Sequence, residues 1–253
     1  MRIDVVASRG ESADLRAVRL RGDAPPAAMR IGPLLFAFDV GPFDATTGRT
    51  HGDETQVQVT TAFQNLDLVL EGAGMHREQV LRIAGYFRDL GEKDELNRKM
   101  VGTFARSSEK PVHKYVPAGL PSGTQFSLQA LALVAADRRI IEMDGVRHND
   151  PISLGAIAGN VFVSSRVQGR LEAGPREQTL RLIDHARRLM EHAGGGLEDV
   201  SQLTWGIGES EYGAVVANEC ARAWPGESRP QVDVVEADFP HSPLPRVEFT
   251  ALL

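Results

Sequence analysis

Apolar residues recur at helical spacing along two stretches of the chain. Val59, Ala62, Phe63, Leu66, Val69, Leu70 and Ala73 form one stripe, and Leu182, Ile183, Ala186, Leu189, Met190 and Ala193 form the other. Positions three and four apart share one face of a helix, so each stripe predicts an amphipathic helix lying on a core. Glycine ends both, at Gly74 and at Gly194 to Gly196. Each is followed by an apolar run of strand length, "QVLRIAGYF" and "DVSQLTWGI", and then by a second helical segment, "EKDELNRKMVGTFARS" and "SEYGAVVANECARAW". Each is preceded by an apolar strand, "IGPLLFAFDVG" and "AGNVFVSSRVQG". A proline-led strand ("KPVHKYVPAG", "RPQVDVVEAD") and a final apolar strand ("FSLQALAL", "VEFTALL") close each copy.

The chain therefore states one pattern twice, at a shift of about 120 residues. The unit reads as ββαβαβ with its helices on one face of a mixed sheet, an α+β arrangement. The polar stretch from Asp137 to Asp150, with a turn-like Asp144-Gly145, predicts the join. The expected domains are 1–140 and 141–253, the first carrying an extra strand pair, "RIDVVAS" and "LRAVRLR".

Composition narrows the function classes. The chain has 253 residues, 42% of them hydrophobic, so a packed core is expected rather than disorder. A net charge of −6 without a basic run disfavours nucleic acid and anionic membrane surfaces as partners. The start of the chain is broken by charges and predicts neither a signal peptide nor a membrane span. The single cysteine, Cys220, permits no internal disulfide, fits a cytoplasmic setting and reads as a buried structural thiol. His185 and His192 lie two helical turns apart, too far to share a metal, and no paired cysteines or HExxH occur, so no metal is expected. Glycine clusters lack the strand–GxGxxG–helix setting of a nucleotide cradle, so no cofactor is expected.

The ordered run of weak motifs resembles the Rid family (reactive intermediate deaminases, also called the YjgF family), here as a tandem duplication with a chorismate-mutase-like fold. The residues that carry the resemblance are Thr47-Gly48, "QVQVTTAFQNLDLVLEGAGM", Asn97 and Pro111 in the first copy. In the second they are "GNVFVSS", "LMEHAGGGLEDV" and Pro230. The resemblance implies barrels of three domains with clefts between neighbours, and hence a homotrimer of two-domain chains. It implies cofactor-free hydrolysis of imines and enamines. It further implies an arginine two positions after the proline that grips a substrate carboxylate, a last-strand glutamate that places water, an aromatic hydroxyl, and a Ser-Gly turn.

This chain departs from that set. The arginine position falls on His113 and Val232, the glutamate on Gln129 and Thr250, the Ser-Gly turn on Phe38-Asp39 and Ser164-Ser165, and the tyrosine near Pro25 and Ile152. His113 is the candidate for the lost cation, with Asp39 as a general base and Gln129 holding water or a carbonyl. Lys114, Asn97, Phe38, Arg166, Ser164 and Ser165 are the candidate substrate contacts. Lys114 is expected on the opposite strand face from His113, toward solvent. Glu248 precedes the aligned glutamate position and is expected on the far face of its strand. The expected activity is a divergent Rid-type hydrolysis, deamination or tautomer chemistry on a small imine, enamine or carbonyl metabolite, in a biosynthetic setting. The alternatives are a non-catalytic metabolite binder or scaffold and a chorismatase-like hydrolase or lyase.

Overall fold

In the computed structural model, residues 15–20, 25–104, 110–135, 138–143, 153–170, 172–226, 229–236 and 244–253 are described. The stretch "RIDVVAS" and the position near Ile152 lie outside the described residues, as does the side chain of Asp39.

The first unit runs β1 (Leu15–Val18), β2 (Ala28–Ile31), β3 (Leu34–Val40), α1 (Thr55–Gly72), β4 (Val80–Phe87), α2 (Asp94–Thr103), β5 (Val112–Pro117) and β6 (Phe126–Leu133). The second runs β7 (Arg138–Ile141), β8 (Gly155–Ala158), β9 (Val161–Ser164), β10 (Val167–Gln168), α3 (Pro175–Ala193), β11 (Val200–Ile207), α4 (Glu211–Ala223), β12 (Gln231–Glu236) and β13 (Arg246–Leu252). The strand orders are β1-β2-β3-β6-β4-β5 and β12-β11-β13-β9-β8-β7, with β10 beside β13. In both sheets only the strands joined by the second helix run parallel, β4 with β5 and β11 with β12, because that connection crosses over the sheet. The architecture is two α+β units, each β-β-α-β-α-β-β after its added strand, the second with the two-residue β10 besides. The boundary expected at 140/141 falls inside β7, which already pairs with β8 in the second sheet.

Several positions of the two units correspond. Gln58 and Gln178 are buried near the starts of α1 and α3, and Leu66, Val69 and Leu70 match Ala186, Leu189 and Met190. The second helices end alike: the amide of Phe104 donates to the Met100 carbonyl, and that of Trp224 to the Cys220 carbonyl. Gly74 and Gly194 take φ of 68° and 95° just past α1 and α3, a left-handed turn that costs glycine nothing.

Strand alternation sorts each sheet into two faces. Ile83, Phe87, Phe126, Leu128 and Ala130 turn toward α1 and α2, and Leu203, Trp205, Val247, Phe249 and Ala251 toward α3 and α4. A third apolar cluster lies away from the helices. It joins Leu81, Val112, Leu131 and Leu133 of the first unit to Ala156, Ala158, Val161 and Val163 of the second. The helix-free faces of the two sheets are thus partly packed on each other. Full burial of a Val or Leu contributes about 1.5–3 kcal/mol, so this seam holds the units together firmly.

Cys220 lies in the second core, where burial pushes its thiol up to about 11, the state of an inert structural thiol. No helix of the described residues is long and apolar enough to cross a membrane.

Candidate functional site

Strand β5 starts at Val112, directly after Pro111, and its alternation decides which side chains meet which surroundings. His113 and Tyr115 turn toward α2, while Val112 and Lys114 turn to the helix-free face. His113 is 2% exposed. Its Nε2 lies 3.1 Å from Asn97 Oδ1 and 3.0 Å from the Tyr115 hydroxyl, and Tyr115 donates to the same Asn97 oxygen. An amide oxygen only accepts, so this network calls for the Nε2–H tautomer. The rings of His113 and Tyr115 meet edge-on at 5.4 Å, and Lys93 Nζ stands 5.3 Å from the Tyr115 ring centre. His113 and Asn97 thus tie α2 to β5 and are walled off from the helix-free face.

That face carries the polar chemistry. Across the first sheet, β4 places Arg82, Ala84 and Tyr86 in a row. Opposite Ala84 stand Lys114 on β5 and Gln129 on β6. The Tyr86 hydroxyl donates to Gln129 Oε1 at 2.8 Å, and Gln129 Nε2 donates to the Phe38 carbonyl at 3.3 Å. The Phe38 side chain is 44% exposed.

Lys114 meets the second unit rather than solvent. Its Nζ hydrogen-bonds and ion-pairs with Glu248 Oε1 on β13. Glu248 Oε2 is 3.5 Å from Arg166 Nε, and Arg166 Nη1 donates to the Tyr115 carbonyl at 3.1 Å. The side chains of Lys114 and Glu248 retain 13% and 4% exposure. Burial pulls the Lys114 amine down to about 8, and Arg82 and Arg166 pull the same way against the attraction of Glu248. Burial would raise the Glu248 carboxyl, but Lys114, Arg166 and Arg82 outweigh it and hold it down to about 2. Both shifts point to deprotonation, of Lys114 chiefly through burial and of Glu248 through the cations around it. Burial, with Arg166 nearby, also lowers Arg246, to about 10.

The expectation for Glu248 is corrected here. Val247, Phe249 and Ala251 face the helix-side core, so Glu248 and Thr250 both lie on the helix-free face. The register also moves the repeat alignment. Gln129 stands opposite Ala84 and Glu248 opposite Thr204, each sheet having its register shift at the same place, Val80/Arg82 and Val200/Gln202. Glu248, not Thr250, is the positional counterpart of Gln129. Lys114 corresponds in the same way to Asp233, which stands opposite Thr204 and accepts from Gln202 at 2.9 Å.

The remaining candidates separate. Ser164 Oγ accepts from the Phe249 amide at 2.8 Å, inside the sheet, and the Ser165 amide donates to the Leu154 carbonyl at 2.8 Å. Both serines are buried. Lys114 and Arg166 come together at the junction, with Gln129 two strands from Lys114, across β4. Asn97 and His113 sit on the other side of the sheet. Arg82 and Tyr86 went unnoticed in the sequence, and Glu248 was placed on the wrong face. The i, i+2, i+4 spacing of Arg82, Ala84 and Tyr86 inside "QVLRIAGYF" was the available signal.

No family model matches the chain. The chain is 28% identical over 116 residues to the RutC family protein y4sK of Sinorhizobium fredii, covering 43% of this chain and 90% of that protein. It is 29% identical over 118 residues to a RutC family protein of Aquifex aeolicus, covering 43% and 94%. Among solved structures, a putative endoribonuclease L-PSP from Entamoeba histolytica is 21% identical, covers 48% of this chain and 100% of that one, and has a TM-score of 0.44. Rv2704 of Mycobacterium tuberculosis, of the YjgF/YER057c/UK114 family, is 22% identical, covers 48% and 100%, and has a TM-score of 0.41. The matches to RutC family proteins over about two fifths of the chain, with a fold that holds the α+β unit twice, support kinship with the Rid family.

Proposed function

We propose that this chain is a divergent, tandemly duplicated Rid-type enzyme. Its substrate is a small carboxylate bearing a carbonyl, imine or enamine, bound at the junction between the two units. The observation that carries this reading is Arg82. It is a half-buried guanidinium on the helix-free face, beside Lys114, and it makes no hydrogen bond or ion pair among the described residues. A planar guanidinium fork matches a carboxylate bidentately. Arg82 therefore takes over the anion-gripping task for which His113 was the sequence candidate. Gln129, held by Tyr86, orients a water or a substrate carbonyl one strand away. Lys114, Glu248 and Arg166 supply the charge that favours an anion and the groups that move protons. Phe38 and the uncovered part of the first sheet's helix-free face are left for a neighbouring chain. A homotrimer, closing three-unit barrels, is the assembly we propose, with a light-scattering mass three times 27.5 kDa.

The test is calorimetric titration with 2-oxobutyrate of the wild type, Arg82→Gln and His113→Gln. The wild type and His113→Gln are expected to bind alike. Arg82→Gln is expected to lose about tenfold or more in affinity, the value of a charged hydrogen-bonded contact. Equal affinity in Arg82→Gln and wild type, or loss confined to His113→Gln, overturns the reading.

A further inference from the structure

We infer that Lys114 acts covalently: a 2-oxo acid gripped by Arg82 condenses with the Lys114 amine to a Schiff base, and Glu248 carries the protons. This rests on the carboxylate reading above and deepens it, from binding to amine catalysis.

Three features bring the reacting groups together. Arg82 and Lys114 lie on the same face of neighbouring parallel strands, Arg82 opposite Val112 and Lys114 two residues on. Strand spacing and rise put their Cα atoms ~8 Å apart, within reach of one small ligand held between two long side chains. Between them stands Ala84, directly opposite Lys114, the smallest side chain of that row. Glu248 already hydrogen-bonds the amine, and the Lys114 side chain keeps 13% exposure. Burial and the neighbouring cations lower the amine, to about 8, which raises its unprotonated share near neutral pH. Such a desolvated lysine with cationic neighbours is the usual form of an activated amine nucleophile.

The steps balance. The Lys114 nitrogen lone pair attacks the C2 carbonyl carbon, the C=O π bond breaks, and the oxygen takes a proton. Glu248 accepts the proton lost from nitrogen and returns it to the departing hydroxyl, which leaves as water. The product is a cationic iminium, with no oxidant or reductant consumed. The iminium acidifies the C3–H bond. Glu248 takes that proton to give the enamine, and protonation from solvent reverses the step. The chemistry is amine-catalysed tautomerisation and C3 hydrogen exchange of 2-oxo acids.

The chain makes the test clean, because its only lysines are Lys93, Lys99, Lys110 and Lys114. The full chain is treated with 2-oxobutyrate and cyanoborohydride at pH 8, digested, and mapped by mass spectrometry. The reductant adds hydride to the imine carbon and fixes it as a secondary amine. Lys114 is expected to carry at least ten times the adduct found on Lys93 or Lys99, which stand over the rings of Tyr115 and Phe63. Arg82→Gln is expected to lower that labelling about tenfold. Lys114→Arg keeps a cation for Glu248 and is expected to abolish C3 deuterium exchange in heavy water. Even labelling of the four lysines, or exchange that survives in Lys114→Arg, overturns the proposal. If Lys114 stays unlabelled while the titration shows Arg82-dependent binding, the covalent step falls and the carboxylate reading stands. If neither binding nor labelling occurs, both fall. Should Lys114→Arg fail to fold, the distribution of label in the wild type decides.

Discussion

Replacing Lys114 by Met leaves Glu248 as a carboxylate, 3% exposed, between the two units. Arg166 and Arg82 remain beside it, so its charge is still partly matched. Replacing Glu248 by Leu instead leaves three cations facing one another with no counter-charge from β13. Two unit charges in contact at an effective dielectric of about 20 attract by ~4 kcal/mol, and breaking a buried pair costs about 3–5 kcal/mol. Lys114→Met is therefore expected at the low end, about 3 kcal/mol, and Glu248→Leu nearer the upper end, about 5 kcal/mol. The double variant is expected within about 2 kcal/mol of wild type, because the desolvation penalty disappears with the attraction. The assay is urea unfolding followed by circular dichroism and by tryptophan fluorescence. Both tryptophans, Trp205 and Trp224, lie in the second unit and report on it separately. Single losses that add to the double loss within ~0.5 kcal/mol would show the pair to be uncoupled and refute the reasoning.

The same pair sets a pH dependence. Glu248 titrates in the fold at about 2, below its ordinary value of 4.5, so its stabilisation is complete above pH 4.5 and lost as pH falls toward 2. Lys114 titrates at about 8 instead of 10.5, so its charged form opposes folding and stability rises between pH 8 and 10.5. Melting curves of the Lys114→Met/Glu248→Leu double variant should lack both slopes; curves parallel to wild type in both ranges would contradict the assignment. Gly85→Ala puts a Cβ 2.6 Å from Leu96 Cδ2 and 3.0 Å from Phe126 Cε2, so overpacking of α2 on β4 should cost about 1–3 kcal/mol in urea unfolding. An unchanged midpoint would show that α2 shifts freely. His113→Phe removes the link to Asn97 and Tyr115 and should cost about 1–3 kcal/mol in stability while leaving 2-oxobutyrate affinity as it is. A loss of affinity without loss of stability would return His113 to the site.

The helical stripes and the near-120-residue repeat were legible because each depends on local periodicity. Phe63, Leu66 and Leu70, like Ile183, Leu189 and Met190, reach their cores at the expected spacing. The alternation that sends Lys114 away from His113 was legible too, but its destination was not. Lys114 and Glu248 are 134 residues apart, and no local pattern announces that a second sheet covers Lys114. The far-face expectation for Glu248 failed because it was set against an aligned position two residues away, and two residues along a strand return to the same face. Arg82 was hidden because "QVLRIAGYF" reads as one apolar run, although the register shift after Val80 puts both Leu81 and Arg82 on the helix-free side. Asn97 and His113 looked like site chemistry, yet with Tyr115 they complete one another between α2 and β5.

The most direct measurement is ammonia release from 2-iminobutyrate generated in place, compared with its spontaneous rate, for wild type, Arg82→Gln and His113→Gln. The account predicts acceleration by the wild type, a loss of about tenfold or more in Arg82→Gln, and a His113→Gln rate within about twofold of wild type. A wild-type rate equal to the spontaneous one, or a loss that follows His113 and spares Arg82, would contradict it.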